Sequence, residues 1–264
     1  MSEADKIDKK AVYFLPYFPI NKEIRVANFL FWPFYRMKDK YIQDEDVRTH
    51  LEKIFGCYVD RSGEITCSIT IASIDNQFFS PFPEEERKKL ALAVKALAFA
   101  SIVKNPYRYQ YRNSENFQIY SQEFVPGEEI LTAVQRFRRN AYGGHVHRSG
   151  PYKFEQVKFI QPDSVLICGT KEVDQRLLTA LEKVLESRES DRDAERILRA
   201  LEWFYFSNFD LRDIPDTAVI VMRATAFESL LDISGTADFV KKVEKFVAHK
   251  ARRFLDESAI RFMS

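Results

Sequence analysis

Residues 197–231 constrain the fold more than any other segment, because they place two apolar helices in succession with a short turn between them. In the first helix, apolar residues recur about every three to four positions, which is the spacing of one helical face. They are Ile197, Leu198, Leu201, Phe204 and Tyr205. The turn FDLRDIPD follows, and its Pro215 suits the first turn of the next helix, whose body is almost wholly apolar. Helices joined by such short links favour antiparallel packing in a bundle.

The first part of the chain mixes the periodicities of strands and helices. Residues 12–20 and 26–34 are rich in aromatic and β-branched side chains but are interrupted by prolines, which predicts edge strands or strand ends. Residues 64–74 alternate isoleucines and a cysteine with other residues, which predicts a longer strand. Helices are predicted over residues 44–55, which start with acidic side chains, and over the alanine-rich segment that Pro83 opens.

The periodicity becomes helical near Pro162, which we take as a domain boundary. Helices are predicted over residues 173–185 and, beyond Gly235, over a basic segment that runs to about Phe254. The sequence therefore predicts an α+β protein. A mixed sheet-and-helix domain spans residues 1–162, and an all-helical, incomplete bundle spans residues 163–264.

Composition excludes several classes of protein. With 40 basic and 39 acidic side chains the formal net charge is +1, so nucleic acid must be attracted by a local patch. The start of the chain is charged and no apolar run reaches about 18 residues, which predicts a cytoplasmic protein outside the membrane. Cys57, Cys67 and Cys168 are odd in number, lie in apolar surroundings and lack zinc-site spacing, so we predict reduced core thiols. No motif for a nucleotide or haem is found, and we predict no cofactor.

The segment LEWFYFSNFDLRDIPDTAVIVMRATAFESLLDISG, residues 201–235, resembles the opening helices of large HEPN domains of the ApeA-like type. In those domains an aromatic helix and a short loop precede an apolar helix with a glutamate before paired leucines, here AFESLL. The resemblance implies a cytosolic RNA-associated or defence-associated protein, whose N-terminal domain senses or binds a partner and whose helical half dimerises. The alternative is a non-enzymatic ligand- or protein-binding module that only shares a helical bundle.

HEPN domains that cleave RNA carry an arginine, followed a few residues later by a histidine, near the start of a late helix. After Leu231 the only histidine is His249, and no arginine precedes it at that spacing. The resemblance therefore implies that this chain is not catalytic. Either its gene continues past Ser264 and supplies the motif, or it is a silent relative.

One match to the spacing lies earlier, at Arg139 and His145 in RNAYGGH. The histidine could act as a general acid or base toward a ribose hydroxyl, and the arginine could stabilise developing charge on phosphate. The alternative is that Arg139 closes a helix over EEILTAVQRFRRN and that His145 lies in an exposed glycine loop. His147 completes an HVH pair, but no carboxylate or cysteine joins it at useful spacing, so we predict a solvated loop and no metal site.

Basic and aromatic residues alternate in two segments that suit RNA binding, because cations attract phosphate and aromatic rings stack on bases. The alternative for the first segment is an amphipathic edge strand, whose tyrosines cover the core and whose arginines keep the sheet soluble. The candidate RNA-binding residues are Tyr107, Arg108, Tyr109, Tyr111 and Arg112 in the first segment and Arg136, Arg138, Arg148 and Lys153 in the second.

Large apolar side chains are concentrated in residues 203–209 and 219–227. One face of an incomplete bundle cannot easily bury all of them, so another surface must cover the remainder. We predict a homodimer that forms through the helical half, with one of these two segments near the centre of the interface.

Overall fold

The computed structural model describes residues 9–60, 62–74, 77–104, 117–128, 130–136, 146–154, 157–160, 172–187, 191–207 and 216–232, with residues 238, 240–241 and 244–245. For residues 130–136 and 146–152 it describes the backbone. The strands are β1 (Lys10–Leu15), β2 (Ile24–Val26), β3 (Phe29–Pro33), β4 (Tyr58–Val59), β5 (Thr70–Ile74), β6 (Tyr120–Phe124), β7 (Ile130–Arg136), β8 (Val146–Lys153) and β9 (Phe159–Ile160). The helices are α1 (Phe34–Tyr41), α2 (Glu45–Gly56), α3 (Glu84–Lys104), α4 (Gln175–Ser187), α5 (Arg192–Phe206) and α6 (Asp216–Leu231).

Seven of these strands form one antiparallel sheet in the order β2–β3–β5–β1–β6–β7–β8. The strand β1 lies in its middle, where Phe14 pairs with Ile71 of β5 on one side and with Tyr120 of β6 on the other. The short strands β4 and β9 form a separate parallel pair. The chain is therefore α+β, as the sequence predicts.

The prolines of the first two strand segments mark strand ends, which is one of the two predicted alternatives. Pro16 follows β1 and Pro33 is the last residue of β3, and both strands lie inside the sheet. A proline at the end of a strand removes no hydrogen bond from the middle of the ladder. It is therefore compatible with an interior strand.

Both faces of the inner strands are buried, which is why their sequences are continuous apolar runs. In β1, Ala11, Tyr13 and Leu15 belong to an apolar cluster that they share with α3, α4 and α5. Val12 and Phe14 belong to a second cluster, which they share with α1 and α2. Successive side chains of a strand point to opposite faces, so helices cover the sheet on both sides.

The helix α3 is the alanine-rich helix that the sequence predicts. Three glutamates stand in its first turn and Lys104 in its last, an arrangement that the helix dipole stabilises. Most of residues 90–102 is buried. Small side chains such as Ala93 and Ala100 let the sheet and the helices α4 and α5 approach closely.

A partly buried ion pair joins α3 to α5. The ammonium group of Lys95 donates a hydrogen bond to Glu202 Oε1, and only 7% of the Lys95 side chain is exposed. The same ammonium group lies 5.5 Å from the centre of the Phe206 ring. Removing one partner of a buried pair is costly, so this contact fixes how α5 lies on α3.

The predicted strand over residues 64–74 is wrong in its first half, because β5 begins only at Thr70. The side chain of Asp60 accepts hydrogen bonds from the backbone N–H groups of Ser62 and Glu64, at 2.8 and 3.0 Å. These bonds close a tight turn and offer the backbone an alternative to the sheet ladder.

The residues between this turn and β5 face solvent in part. Ser68 donates its hydroxyl to the Pro16 carbonyl at 2.8 Å. Ile65 is 56% exposed and Cys67 is exposed, so the prediction that Cys67 is a core thiol is wrong. Cys57 is a buried free thiol, as predicted. The third cysteine lies outside the described residues.

The helix predicted over EEILTAVQRFRRN is also wrong, because residues 130–136 form β7. Ile130, Leu131 and Val134 fit one helical face, but a short apolar run does not distinguish helix from strand. Pairing with β6 on one side and β8 on the other decides in favour of a strand. His147 lies in β8 opposite Gln135, so the loop predicted at His147 is wrong as well.

The described residues after Val173 contain the helices α4, α5 and α6 and no strand. Leu178 of α4 and Leu201 of α5 belong to the same apolar cluster as the strands. The predicted boundary at Pro162 and most of the helix predicted beyond Gly235 lie outside the described residues. The division into two domains therefore stays a prediction.

The turn between β2 and β3 is tied to two helices. Ala27 has a φ of 53°, a conformation uncommon for residues other than glycine. Its N–H donates to Glu182 of α4 at 3.2 Å, and Nδ2 of Asn28 donates to Glu86 of α3 at 2.9 Å. The β2 end of the sheet is thus bonded to the helical layer.

Candidate nucleic-acid and dimer interfaces

The outer strands of the sheet bring two of the predicted RNA-binding residues into neighbouring positions. Arg136 of β7 pairs with Tyr120 of β6, and Val134, two residues earlier, pairs with Arg148 of β8. Arg136 and Arg148 are therefore diagonal neighbours across the β7–β8 ladder. In an antiparallel ladder such positions lie about 7–8 Å apart.

Lys153 lies at the other end of the same hairpin. It is exposed and pairs with Ile130. The six residue steps of β7 from Ile130 to Arg136 correspond to about 20 Å along the strand. The structure therefore spreads these basic positions along β7 and β8, with two at one end and one at the other.

The other candidate residues lie outside the described part of the chain. They are Tyr107, Arg108, Tyr109, Tyr111 and Arg112 in residues 105–116, and Arg138, Arg139 and His145 in residues 137–145. The second segment links β7 to β8, so the Arg139–His145 pair follows one strand and precedes the next. Whether these residues contribute to a site stays a prediction.

Next to the outer strands, buried polar groups that the sequence analysis missed lie in β6 and just before it. Gln122 is in β6, Gln118 lies two residues before the strand begins at Tyr120, and both are buried. Among the described residues, the Gln118 amide and the Gln122 Oε1 atom have no hydrogen-bond partner. The Tyr58 ring packs edge-on against Tyr120 with ring centres 5.7 Å apart, and its buried hydroxyl also has no partner there.

The polar groups around Tyr120 are neutral. Burial, more than the neighbouring tyrosine hydroxyls, raises the pKa of Tyr58 well above its usual range. Amides and a protonated phenol can donate and accept hydrogen bonds, but they do not supply an acid or a base near pH 7. Gln118, Tyr120 and Gln122 are spaced two residues apart, and residues with this spacing lie on one side of an extended chain. This spacing is the sequence signal that could have indicated these polar residues.

His50 is a second buried polar residue that the sequence analysis missed. Its ring stacks on Phe124 with ring centres 4.9 Å apart and meets the edge of Phe154 at 5.5 Å. Burial, with a smaller contribution from Lys53, lowers the pKa of His50 to about 4. The imidazole is therefore neutral at pH 7. Its position between Val47 and Leu51 on one helical face is a signal that it belongs to the core.

The helix α6 exposes an apolar surface, which we call the outer face of α6. It is formed by Ile220, Val221, Ala224, Phe227 and Leu230. Ile220 is 65% exposed and Phe227 is 59% exposed, although α6 packs against α5. This surface lies in the second of the two segments predicted for the dimer interface. In the first segment, Trp203 is exposed at the edge of α5, whereas Tyr205 is buried.

Two further searches of the described residues gave negative results. No group of three or more histidine, cysteine, aspartate and glutamate side chains is placed to hold a metal ion in the described part of the chain. None of the helices in that part is both long and apolar enough to span a membrane.

Comparison of the chain with protein-family models, with curated proteins and with solved structures found no match.

Proposed function

We propose that this chain is a non-catalytic, RNA-associated or defence-associated protein of the HEPN-like kind, which acts in the cytoplasm as a homodimer. The sheet domain binds RNA, and the helical half joins two copies. The observation that carries the RNA proposal is the register of the outer strands, which sets Arg136 and Arg148 at diagonally neighbouring backbone positions.

Two basic residues at neighbouring backbone positions suit a phosphate backbone, since each neutralised phosphate releases counterions. A local pair is needed here because the net charge of the whole chain is only +1. The absence of catalysis is proposed because no arginine precedes His249, the only histidine after Leu231, at the spacing of the HEPN motif.

The test is the binding of a fluorescent single-stranded RNA, measured by anisotropy at several salt concentrations. We expect Arg136→Ala/Arg148→Ala to weaken binding by about tenfold and to lower the slope of the salt dependence by about 1.4, because two phosphate contacts to a single strand are lost. The matched control is Arg176→Ala/Lys183→Ala, which removes two exposed cations of α4. Equal affinity of the two double variants would refute the site at Arg136 and Arg148, and wild-type protein that does not bind RNA would refute RNA association.

A second candidate is a non-enzymatic protein-binding module with a helical dimerisation domain. The outer face of α6 favours it, because an apolar surface of this kind on a soluble domain marks an interaction site. A stable dimer without any salt-dependent RNA binding would favour this function over the first.

A further inference from the structure

The exposed side of α6 has the spacing of a two-stranded coiled coil. Three residues of the outer face, Ile220, Ala224 and Phe227, follow one another at intervals of three and four residues, and Thr217 before them and Leu231 after them continue the same spacing. This is the alternation of heptad positions a and d, which forms the seam between two paired helices. Thr217, Ile220, Ala224 and Phe227 are exposed, and Leu231 is partly buried. The seam therefore faces away from the body of the chain.

The borders of this seam carry opposite charges. In the same heptad frame Arg223 is at position g and Glu228 is at the following position e, and both side chains are exposed. They are five residues apart, so they lie on opposite borders of one helix and cannot pair within it. In two parallel helices, position g of one copy lies beside the following position e of the other. Each Arg223 would then meet the Glu228 of the second copy.

We infer that two copies of this chain pair through the outer faces of α6, with the two helices parallel around a two-fold axis. The occupant of the apolar face is a second copy because its charges complement themselves in this arrangement. An antiparallel pair would set g against g and e against e, which removes both attractions. This inference rests on the proposed homodimer and names its surface, its direction and its ion pairs.

The first test reverses the charges and measures the dimer dissociation constant by sedimentation. Arg223→Glu alone and Glu228→Arg alone each place like charges together twice in one dimer, so we expect dissociation constants raised by about tenfold or more. The combined variant Arg223→Glu/Glu228→Arg restores opposite charges and should return to within about threefold of the wild type. Lys183→Glu, an exposed change on α4, serves as the control.

The second test reads the direction of the helices by oxidative cross-linking, in a Cys67→Ser background because Cys67 is exposed. Thr217→Cys is expected to cross-link to itself. In an antiparallel pair the two copies of position 217 would be about 20 Å apart for a centred contact, and Thr217→Cys would instead cross-link to Leu231→Cys in a mixture.

The outcomes separate this inference from the proposed function. A dimer in which single and combined charge variants behave alike, and in which Thr217→Cys does not cross-link, would refute the α6 interface while leaving a homodimer in place. A monomeric wild-type protein at tens of micromolar would refute both. Loss of RNA binding alone would not affect either result.

Discussion

The neutral imidazole of His50 shows how burial sets the charge of a single side chain. Packing between Phe124 and Phe154 removes water from the ring and lowers its pKa to about 4. In the unfolded chain a histidine titrates near 6.5. Between these two values the unfolded chain binds more protons than the folded one, so the free energy of unfolding falls as the pH is lowered from about 6.5 to about 4.

We expect His50→Leu to remove this component of the pH dependence. Between pH 7 and pH 4, the free energy of unfolding of the wild type should fall by up to about 3 kcal/mol more than that of the variant, at roughly 1.4 kcal/mol per pKa unit. Urea unfolding at several pH values measures the difference. Comparing the two proteins cancels the titration of the carboxylates. Parallel pH profiles would contradict a neutral, buried His50.

At the scale of helices and strands, the ion pair between Lys95 of α3 and Glu202 of α5 is the clearest contact that links two elements. We expect Lys95→Met to lower the free energy of unfolding by about 2 kcal/mol, because the charged hydrogen bond between Lys95 and Glu202 is lost. The double variant Lys95→Met/Glu202→Leu should recover most of this loss, because an apolar replacement of a buried pair is often neutral. Urea denaturation measures all of these changes.

The control for this pair is Lys88→Met, which removes the partner of Glu85 in an exposed pair within α3. Exposed pairs contribute about 0–1 kcal/mol. If Lys95→Met costs no more than Lys88→Met, the pair does not fix α5 on α3.

The elements that the sequence predicts well are those whose signals are local. The helix α2 begins after Asp44, whose side chain accepts hydrogen bonds from the backbone N–H groups of Asp46 and Val47, as its acidic start predicts. The strand β7 could not be predicted in this way, because its hydrogen-bond partners lie in other segments. The alternating sequence pattern begins at residue 64, six residues before β5 itself. The turn at Asp60 explains the difference, because its hydrogen bonds hold the backbone out of the sheet before Thr70.

The candidate site was predictable in composition but not in geometry. The basic character of Arg136 and Arg148 is visible in the sequence, yet their proximity depends on the register of the β7–β8 hairpin. The buried amides of Gln118 and Gln122 were not predicted, because glutamine is usually found at the surface. The burial of Gln122 depends on distant segments, because the pairing of β6 with β1 sets it beside Val12, on the face that α1 and α2 cover.

Over the whole molecule, the apolar cluster shared by the strands and by α4 and α5 predicts cooperative unfolding. The two tryptophans report on both regions, since Trp32 lies in β3 and Trp203 in α5. In the variants Trp32→Phe and Trp203→Phe, unfolding in urea is followed by the fluorescence of the tryptophan that remains. We expect both variants to unfold with the same m-value, because one apolar cluster includes residues of β3 and of α5. The urea midpoints of the two variants should differ only because each substitution changes the free energy of unfolding by a different amount.

The circular dichroism of each variant provides the control, because it reports the unfolding of secondary structure throughout the chain. A tryptophan transition that is shallower than the circular dichroism transition of the same variant would show two separate units. That result would support the domain boundary predicted at Pro162 and contradict cooperative unfolding.

The bonded turn between β2 and β3 gives the two ends of the sheet different freedom to evolve. A substitution at Asn28 affects α3 at once, and one at Glu182 affects the left-handed turn at Ala27. Such positions can change only together, which slows their divergence. The outer hairpin pairs along one side with β6, so changes in it need to preserve fewer contacts with the helices described here. New binding specificities can therefore arise at one end of the sheet while the other end preserves the fold.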